Sequence, residues 1–311
     1  MSALICGSMA YDTIMVFHDK FKNHILPDKV HMLSVSFLVP NLRREYGGCA
    51  GNIAYNLNLL GAQGHMMATV GHDFEPYCQW LNQCHLSTEF IKTLDDHYTA
   101  QAYITTDEDG NQITAFHPGA MNVSHWNDVP NDRSDITIGI VSPDGKQGMQ
   151  QHAQQFVEAE IPFIFDPGQG MPMFDGSELL EFLEQATWLT LNDYESQLMQ
   201  ERTGLSLAEM AEKVEALIIT LGGQGSQIYT DGQLLDIPAA TTKEVLDPTG
   251  CGDAYRAGLL YGLMNDLDWA TTGRIASLMG AIKIECHGTQ NHRFTMDDFR
   301  QRYQSAFGLE F

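Results

Sequence analysis

The sequence is poor in basic residues and contains no long apolar segment. Its 311 residues include 17 lysines and arginines against 40 acidic residues, for a formal net charge of −23. Such an acidic chain is a poor partner for the phosphate backbone of DNA or RNA, so we expect no nucleic-acid partner. No run of 18 apolar residues occurs, and no basic region precedes an apolar run at the N-terminus. We therefore expect a cytoplasmic protein without a membrane partner.

Several motifs that would indicate other chemistry are also missing. The six cysteines include no C-x-x-C pair, which argues against a zinc ribbon or a disulfide framework. The G-K dipeptide at Gly145 has no glycine five residues earlier, so there is no Walker A loop, and Ile228 replaces the third glycine of a G-x-G-x-x-G fingerprint. Neither H-E-x-x-H nor G-x-S-x-G occurs, which argues against a zinc protease and a serine hydrolase of those types.

Short apolar runs alternate with amphipathic helical patterns along most of the chain. This alternation is typical of βαβ units and predicts an α/β fold with a mainly parallel central sheet. The predicted strands are Ala3–Cys6, Met66–Val70, Ile136–Val141, Phe163–Phe165, Trp188–Leu191 and Leu217–Leu221. The predicted helices are Ala50–Leu60, Pro76–Cys84, Lys146–Ala159, Glu178–Ala186, Tyr194–Thr203 and Leu207–Val214.

Two segments break this alternation. The first contains the strand-like runs Thr13–Phe17 and Leu33–Val39, and the second, Ala100–Phe116, has the pattern of a hairpin turned by D-E-D-G-N. We expect these parts, about 13–46 and 97–118, to form a small β-sheet that covers a ligand crevice as a lid. Because there is no linker or repeat, residues 1–311 are expected to form one unit. An exposed edge of the small sheet could pair with a second copy to give a homodimer.

The segment D-P-T-G-C-G-D, Asp247 to Asp253, precedes an apolar helical stretch, Ala254–Met264. We expect a strand to end at Asp247–Pro248 and a helix to begin near Gly252. The first N–H groups of a helix lack intrahelical acceptors and lie at the positive end of its dipole. Glycines let a phosphate approach these groups closely. A carboxylate in the first turn would repel a resting phosphate but could serve as general base for an attacking hydroxyl.

These residues carry a family resemblance. Asp247–Gly258 resembles the second signature of the ribokinase-like, or PfkB, carbohydrate kinase family, and Tyr46–Gly61 resembles the first. Shorter matches extend the resemblance over nearly the whole chain: Gly7–Asp12, Gly71–Asp73, Leu191–Glu195 and Thr220–Ser226. Other segments resemble the adenosine kinase and bacterial nucleoside kinase branch: Asp107–Met121, Asp166–Gln169 and His287–Phe294. The resemblance implies a three-layer αβα domain with a small β-sheet lid.

The resemblance also implies an ATP- and Mg²⁺-dependent nucleoside kinase, with adenosine as the favoured substrate and inosine or guanosine as further acceptors. Asp253 would be the general base, beside a backbone anion hole at Gly250, Cys251 and Gly252. The implied substrate contacts are Asp12, Gly47, Gly48, Asn52 and Phe116. The implied ATP contacts are Asn192, Thr220, Gly222, Gly225, Gly288 and Asn291. Glu195 would hold Mg²⁺ through water, and Asp247 and Thr249 would belong to a monovalent-cation loop that takes K⁺.

Alternatives remain open at this point. The chain could be a kinase for a free sugar, or a non-catalytic nucleoside-binding relative. Asn192 and Glu195 also have the spacing of a helix capping box. Phe116 could pack inside the lid instead of stacking on a base, and Arg43 and Arg44 could contact phosphate or balance Glu45.

Overall fold

The computed structural model describes residues 1–25 and 34–311. Its strands fall into two separate sheets. The strands are β1 (Ser2–Cys6), β2 (Ala10–Val16), β3 (Asn41–Gly47), β4 (Gly64–Gly71), β5 (Ile91–Leu94), β6 (Ala100–Thr106), β7 (Gln112–His117), β8 (Ile136–Val141), β9 (Phe163–Phe165), β10 (Trp188–Asn192), β11 (Ala216–Thr220), β12 (Ser226–Thr230) and β13 (Gln233–Ile237).

The helices cover both faces of the larger sheet. They are α1 (Cys49–Leu59), α2 (Glu75–Gln83), α3 (Lys146–Glu158), α4 (Gly176–Gln185), α5 (Asp193–Thr203), α6 (Leu207–Ala211), α7 (Cys251–Met264), α8 (Trp269–Ile284) and α9 (Met296–Phe307). The described chain contains no helix that is both long and apolar enough to cross a membrane.

The larger sheet has nine strands in the order β13-β12-β11-β10-β9-β8-β1-β4-β5. Strand β12 runs antiparallel to both of its neighbours, and the other pairs are parallel. Successive side chains of a strand point to opposite faces. In β1, Ala3 and Ile5 join one hydrophobic core, whereas Leu4 and Cys6 join the other. Two cores on opposite faces of one sheet make a three-layer αβα domain, as predicted.

The smaller sheet consists of β3, β2, β6 and β7 in that order, and we call it the small sheet. The predicted hairpin is confirmed, because β6 and β7 pair antiparallel from Gln101–His117 to Thr106–Gln112. The predicted strand Leu33–Val39 is wrong over residues 34–39, which form no strand, while Leu33 lies outside the described residues. The strand is β3 instead. Its charged sequence N-L-R-R-E-Y-G is mostly exposed, so it lacks the apolar run that the prediction relied on.

Asp73 joins the small sheet to the larger one. Its carboxylate accepts hydrogen bonds from the Thr99 N–H (2.7 Å) and from Gln101 Nε2 (2.9 Å). Its backbone carbonyl accepts one from the Tyr11 hydroxyl (2.9 Å). This network gives Asp73 a structural role at the junction of β2 and β6.

The segment before Asp247 differs from the prediction. No strand ends at Asp247–Pro248, because β13 ends at Ile237 and residues 238–248 form no strand. The N–H groups of Leu246 (2.9 Å) and Asp247 (3.2 Å) donate instead to the carbonyl of Ile284, at the end of α8. The loop that leads into α7 is therefore held by a helix end and not by the sheet.

Candidate active site

The carboxyl edge of the larger sheet brings the candidate residues together. From strand β1, the parallel order continues to β4 and β5 on one side and to β8, β9, β10 and β11 on the other. Ligands of open α/β sheets bind in the crevice at such a switch point. Asp166 follows β9, Asn192 ends β10 and Thr220 ends β11, and the register pairs Asn192 with Thr220.

Helix α7 presents free N–H groups at this edge. Gly250 caps the helix with φ 78°, a conformation that favours glycine, and a Cβ there would lie 2.9 Å from the Thr289 methyl group. The Cys251 N–H donates to the carbonyl of Pro248 (3.2 Å). Within residues 1–25 and 34–311, no acceptor takes the N–H groups of Gly252 or Asp253. Together with the helix dipole, these two groups form a site for an anion.

Asp253 lies in the first turn of α7, as predicted. Desolvation raises the pKa of its carboxyl to about 6, and a hydrogen bond from Asn52 Nδ2 to Oδ2 (2.8 Å) opposes that shift. At neutral pH this carboxylate is therefore largely ionised, yet it is more basic than an ordinary aspartate. Such a group is suited to accept a proton beside an anion site.

The Asn52 amide is held in one orientation by a chain of hydrogen bonds that begins at Trp80. An indole N–H can only donate, and Trp80 Nε1 donates to Gln290 Oε1 (2.9 Å). Gln290 must then point Nε2 at Asn52 Oδ1 (3.0 Å), which turns Asn52 Nδ2 toward Asp253. We call this chain from Trp80 through Gln290 and Asn52 to Asp253 the relay. Gln290 and Asn52 are 2% and 4% exposed, so water does not compete with its hydrogen bonds.

A buried ion pair lies behind Asp253. Arg256 donates to Asp166 through both Nε and Nη2 at 2.9 Å, and the two side chains are almost fully buried. A bidentate pair of this kind has a fixed geometry. The Arg256 guanidinium also lowers the pKa of Asp253, although more weakly than desolvation and Asp166 raise it.

Asn192 and Glu195 form a complete capping box at the start of α5. Asn192 Oδ1 accepts from the Glu195 N–H (2.7 Å), and Glu195 Oε2 accepts from the Asn192 N–H (2.8 Å). The two residues therefore do cap the helix, as the alternative interpretation of their spacing predicted. In the described part of the chain, Asn192 Nδ2 and Glu195 Oε1 have no hydrogen-bond partner and can meet a ligand. Burial and the neighbouring Asp166 raise the pKa of Glu195, whereas Arg256 lowers it.

The described residues contain no group of three or more His, Cys, Asp or Glu side chains that could hold a metal ion. Mg²⁺ commonly keeps several waters and binds through one or two carboxylates plus substrate phosphates. The free Oε1 of Glu195 fits that mode of binding through water.

A glycine turn follows β11. Gly222 and Gly225 have φ values of 56° and 94°, both in the region that favours glycine. A Cβ at Gly225 would collide with the carbonyl oxygen of Ile237, whereas a Cβ at Gly222 would meet open space. The turn therefore exposes backbone at Gly222 beside the end of β11.

Asp12 and Phe116 share one face of the small sheet. The register aligns Glu45, Asp12, Ala102 and Phe116 in a single row across the four strands. Two strand spacings, about 10 Å, separate Asp12 from Phe116. Phe116 is 50% exposed, so it does not pack inside the small sheet.

The Asp12 carboxylate is open to a ligand. No hydrogen-bond donor in residues 1–25 or 34–311 reaches it. Desolvation, followed by the charges of Glu45 and Asp247, raises the pKa of Asp12 to about 6. A Cβ at Gly47 would lie 2.5 Å from Asp12 Oδ2, so a larger residue there would displace the carboxylate. Gly48, the N-cap of α1, has φ 89°.

The two consecutive arginines have different partners. The Arg44 guanidinium lies 3.8 Å from the centroid of the Tyr11 ring, and Arg43 Nε lies 3.5 Å from Glu45 Oε1. The alternative in which an arginine balances Glu45 therefore applies to Arg43.

The loop after α8 packs against the loop before α7. Asp247 Oδ1 accepts from the Thr249 N–H and Oδ2 from the Gly288 N–H, both at 2.9 Å. Asn291 Nδ2 donates to Glu45 Oε2 (3.0 Å). This contact places Gly288 and Asn291 between the entry of α7 and the small sheet.

Comparison with known proteins identifies the family. A model of the "pfkB family carbohydrate kinase" matches residues 9–295, which is most of the chain. This chain belongs to the pfkB carbohydrate kinase family. As a pfkB kinase it is an ATP-dependent phosphotransferase that acts on a hydroxyl group.

Similar pfkB kinases are nucleoside kinases. The Burkholderia thailandensis nucleoside kinase in complex with inosine is 51% identical, with a TM-score of 0.90 and 99% of each chain covered. The structure of that enzyme with ADP-inosine is 53% identical, with a TM-score of 0.87, and the match covers 99% of this chain and 97% of the other. The nucleoside kinase of Methanocaldococcus jannaschii is 30% identical over 87% of this chain and 89% of its own length.

Sequence reasoning missed several residues of this pfkB site. Gln290 and Arg256 lie inside segments that carried the resemblance, His287–Phe294 and Asp247–Gly258, but a local pattern shows no partner for them. Trp80 and Asp166 contact them across 210 and 90 positions of the chain. An arginine in the second turn of a largely apolar helical stretch was the available sequence signal for the Arg256–Asp166 pair.

Proposed function

We propose that this kinase transfers the γ-phosphoryl group of ATP to the 5′-hydroxyl of a nucleoside, with adenosine favoured and inosine and guanosine as further acceptors. The observation that carries the proposal is the position of Asp253. A carboxylate with a pKa of about 6 lies on the same helical turn as two N–H groups for which the described residues supply no acceptor. A base and an anion site are thereby adjacent.

Asp253 removes the proton from the attacking hydroxyl, and the N–H groups at the start of α7 stabilise the charge of the transferring phosphoryl group. Gly250 and Gly252 place no side chain over this end of the helix, and Cys251 fixes the turn between them because its N–H donates to the Pro248 carbonyl. Catalysis of phosphoryl transfer is mainly positioning and electrostatic stabilisation. General base catalysis adds about 10²–10⁴-fold.

The small sheet supplies the nucleoside contacts. The open Asp12 carboxylate accepts hydrogen bonds from the two vicinal ribose hydroxyls. Phe116, about 10 Å away on the same face, stacks on the base. Gly47 and Gly48 let the sugar approach the backbone, and Asn52 has one N–H left for it. That the Burkholderia enzyme is known in complex with inosine supports a nucleoside as the acceptor.

ATP binds on the side of β10 and β11. Asn192, Thr220, Gly222 and Gly225 line its phosphates and adenosine, and the loop with Gly288 and Asn291 completes the site. Glu195 Oε1 would hold Mg²⁺ through a water, and the ion would supply positive charge that neutralises the phosphates. The small sheet, within about 13–46 and 97–118, acts as the lid of one unit spanning 1–311. Its outer strand β7 offers an edge to a second copy.

A panel of acceptors tests this function. ADP formation is measured with adenosine, inosine, guanosine, cytidine, ribose and fructose 6-phosphate at equal ATP and Mg²⁺. We expect the highest kcat/KM with adenosine and measurable turnover with inosine and guanosine. If a free sugar is phosphorylated and no nucleoside is, the protein is a sugar kinase. Nucleoside binding without ADP formation would show a non-catalytic relative.

A further inference from the structure

A lysine side chain is buried behind the anion site. Lys283 belongs to the last turn of α8 and is fully buried. Its Nζ donates to the backbone carbonyls of Asp247 (2.7 Å) and Cys286 (3.2 Å). The first carbonyl lies in the loop that leads into α7, and the second lies in the loop that follows α8. One ammonium group therefore ties together the two loops that support the anion site.

The residues of this loop do not fit a monovalent metal ion. A K⁺ ion in a protein replaces its water shell with oxygens such as backbone carbonyls. The carbonyl of Asp247 already accepts from Lys283, and both carboxylate oxygens of Asp247 accept from backbone N–H groups. A metal ion at Asp247 and Thr249 would also lie beside a buried positive charge, which repels it.

We propose that the Lys283 ammonium is a built-in monovalent cation, so that this enzyme needs no K⁺ for phosphoryl transfer. Like a bound ion, the ammonium carries one positive charge and directs it at carbonyl oxygens of two loops. The proposal rests on the anion site proposed at the N-terminus of α7. It does not depend on which hydroxyl the enzyme phosphorylates.

Burial disfavours the charge on Lys283 and so lowers its pKa, and nearby negative groups, chiefly the Asp247 carboxylate, oppose that effect. The position at the C-terminal end of α8 also favours a cation, because the helix dipole is negative at that end. The Lys283 charge also acts on the first residue of α7. Desolvation raises the pKa of the Cys251 thiol to about 11, and the positive charge of Lys283 is the largest effect that opposes this rise.

The test removes the positive charge of Lys283 by substitution and then supplies a positive charge again as K⁺ in the assay buffer. Lys283→Met keeps the length of the side chain and removes the ammonium. Wild-type and variant proteins are assayed in KCl and in tetramethylammonium chloride at equal ionic strength, because the larger ion cannot enter the site. Lys92→Met is the matched control, since Lys92 Nζ also donates to a backbone carbonyl, that of Trp126 (2.6 Å), but at an exposed position on β5.

We expect the wild type and Lys92→Met to change less than about twofold between the two salts. In tetramethylammonium chloride, the kcat of Lys283→Met should be lower than that of the wild type by at least about tenfold. The variant should regain activity in K⁺ or NH₄⁺. Activation of the wild type several-fold by K⁺ would overturn the proposal. Full activity of Lys283→Met without K⁺, or a loss that K⁺ does not restore, would also contradict it.

Thermal melting gives a readout that does not depend on turnover. The melting temperature of Lys283→Met should rise in K⁺ relative to tetramethylammonium, whereas that of the wild type should stay constant. An equal response of the two proteins would count against the proposal. If no acceptor is phosphorylated, the proposed substrate is wrong, and the melting comparison still decides the role of Lys283.

Discussion

The two carboxylates proposed to meet the substrate occupy opposite environments. Asp253 is held by Asn52, whose amide is oriented by Gln290 and Trp80. Asp12 has no hydrogen-bond donor among the described residues, and its neighbour on the same face, Phe116, is half exposed. The start of α7 is thus organised before any ligand binds, whereas the small sheet leaves the Asp12 carboxylate for a ligand to satisfy. The difference agrees with the proposed division between a region for chemistry and a region for recognition.

The largest expected effect comes from removing the base. Asp253→Asn keeps the size of the side chain but cannot accept the proton, so kcat should fall about 10²–10⁴-fold. The dissociation constant for the nucleoside, measured by calorimetry, should change little. Asp12→Asn is the contrast, because it should weaken nucleoside binding. Asp253→Asn with wild-type kcat would remove Asp253 from the mechanism and end the division between the two regions.

The pH dependence of kcat/KM reports both acids. Desolvation raises the pKa of Asp12 and of Asp253 to about 6, and in the proposed mechanism both carboxylates act in their ionised form. Activity should therefore be present above pH 6 and fall as the pH drops, with a slope approaching two. In Asn52→Leu the Asp253 carboxylate loses a hydrogen-bond donor that lowers its pKa. The part of the pH profile that reports ionisation of Asp253 should therefore move to higher pH by about one unit.

Two further variants sharpen that measurement. Gln290→Leu should shift the same part of the profile by less, because it only frees the Asn52 amide to turn. Asn58→Leu, also on α1, removes a hydrogen bond to the Cys84 carbonyl (3.1 Å) and should leave the profile unchanged. An unchanged profile in Asn52→Leu would show that the relay does not act on Asp253.

A smaller effect is expected on the recognition side. Phe116→Ala should raise the KM for the nucleoside and leave kcat nearly unchanged, because stacking of a base on an aromatic ring is worth about 1–3 kcal/mol. Ile113→Ala is the matched control, since Ile113 is an exposed residue of β7 on the opposite face. Equal changes in KM for the two variants would show that the loss is not one of stacking.

Local patterns predicted the buried strands well and the exposed ones poorly. The strands at Ile136–Val141 and Phe163–Phe165 have the predicted bounds, because each is a short buried apolar run. Strand β3 was missed because pairing with β2, and not burial of its own side chains, holds it in the sheet. Helix α8 was missed although it is well buried. Its glycines and threonines weaken the helical pattern.

The glycine-rich start of α7 and Asp253 were identifiable because the residues that make that end lie next to each other in sequence. The residues that orient and hydrogen-bond Asp253 could not be identified from local sequence. Asn52 and Asp253 are 201 positions apart, and Gln290 lies 238 positions from Asn52. The same limit applies to Lys283, which contacts Asp247 only because α8 folds back against the loop before α7.

The relay also gives the enzyme an internal optical signal. The Trp80 ring stacks on Tyr46 of β3, with centroids 5.5 Å apart and planes 14° apart. Its indole N–H is simultaneously tied to the chain of amides that ends at Asp253. Indole emission depends on both the stacking partner and the hydrogen bond. A displacement of the small sheet and a proton gained by the base would therefore both act on the same indole ring.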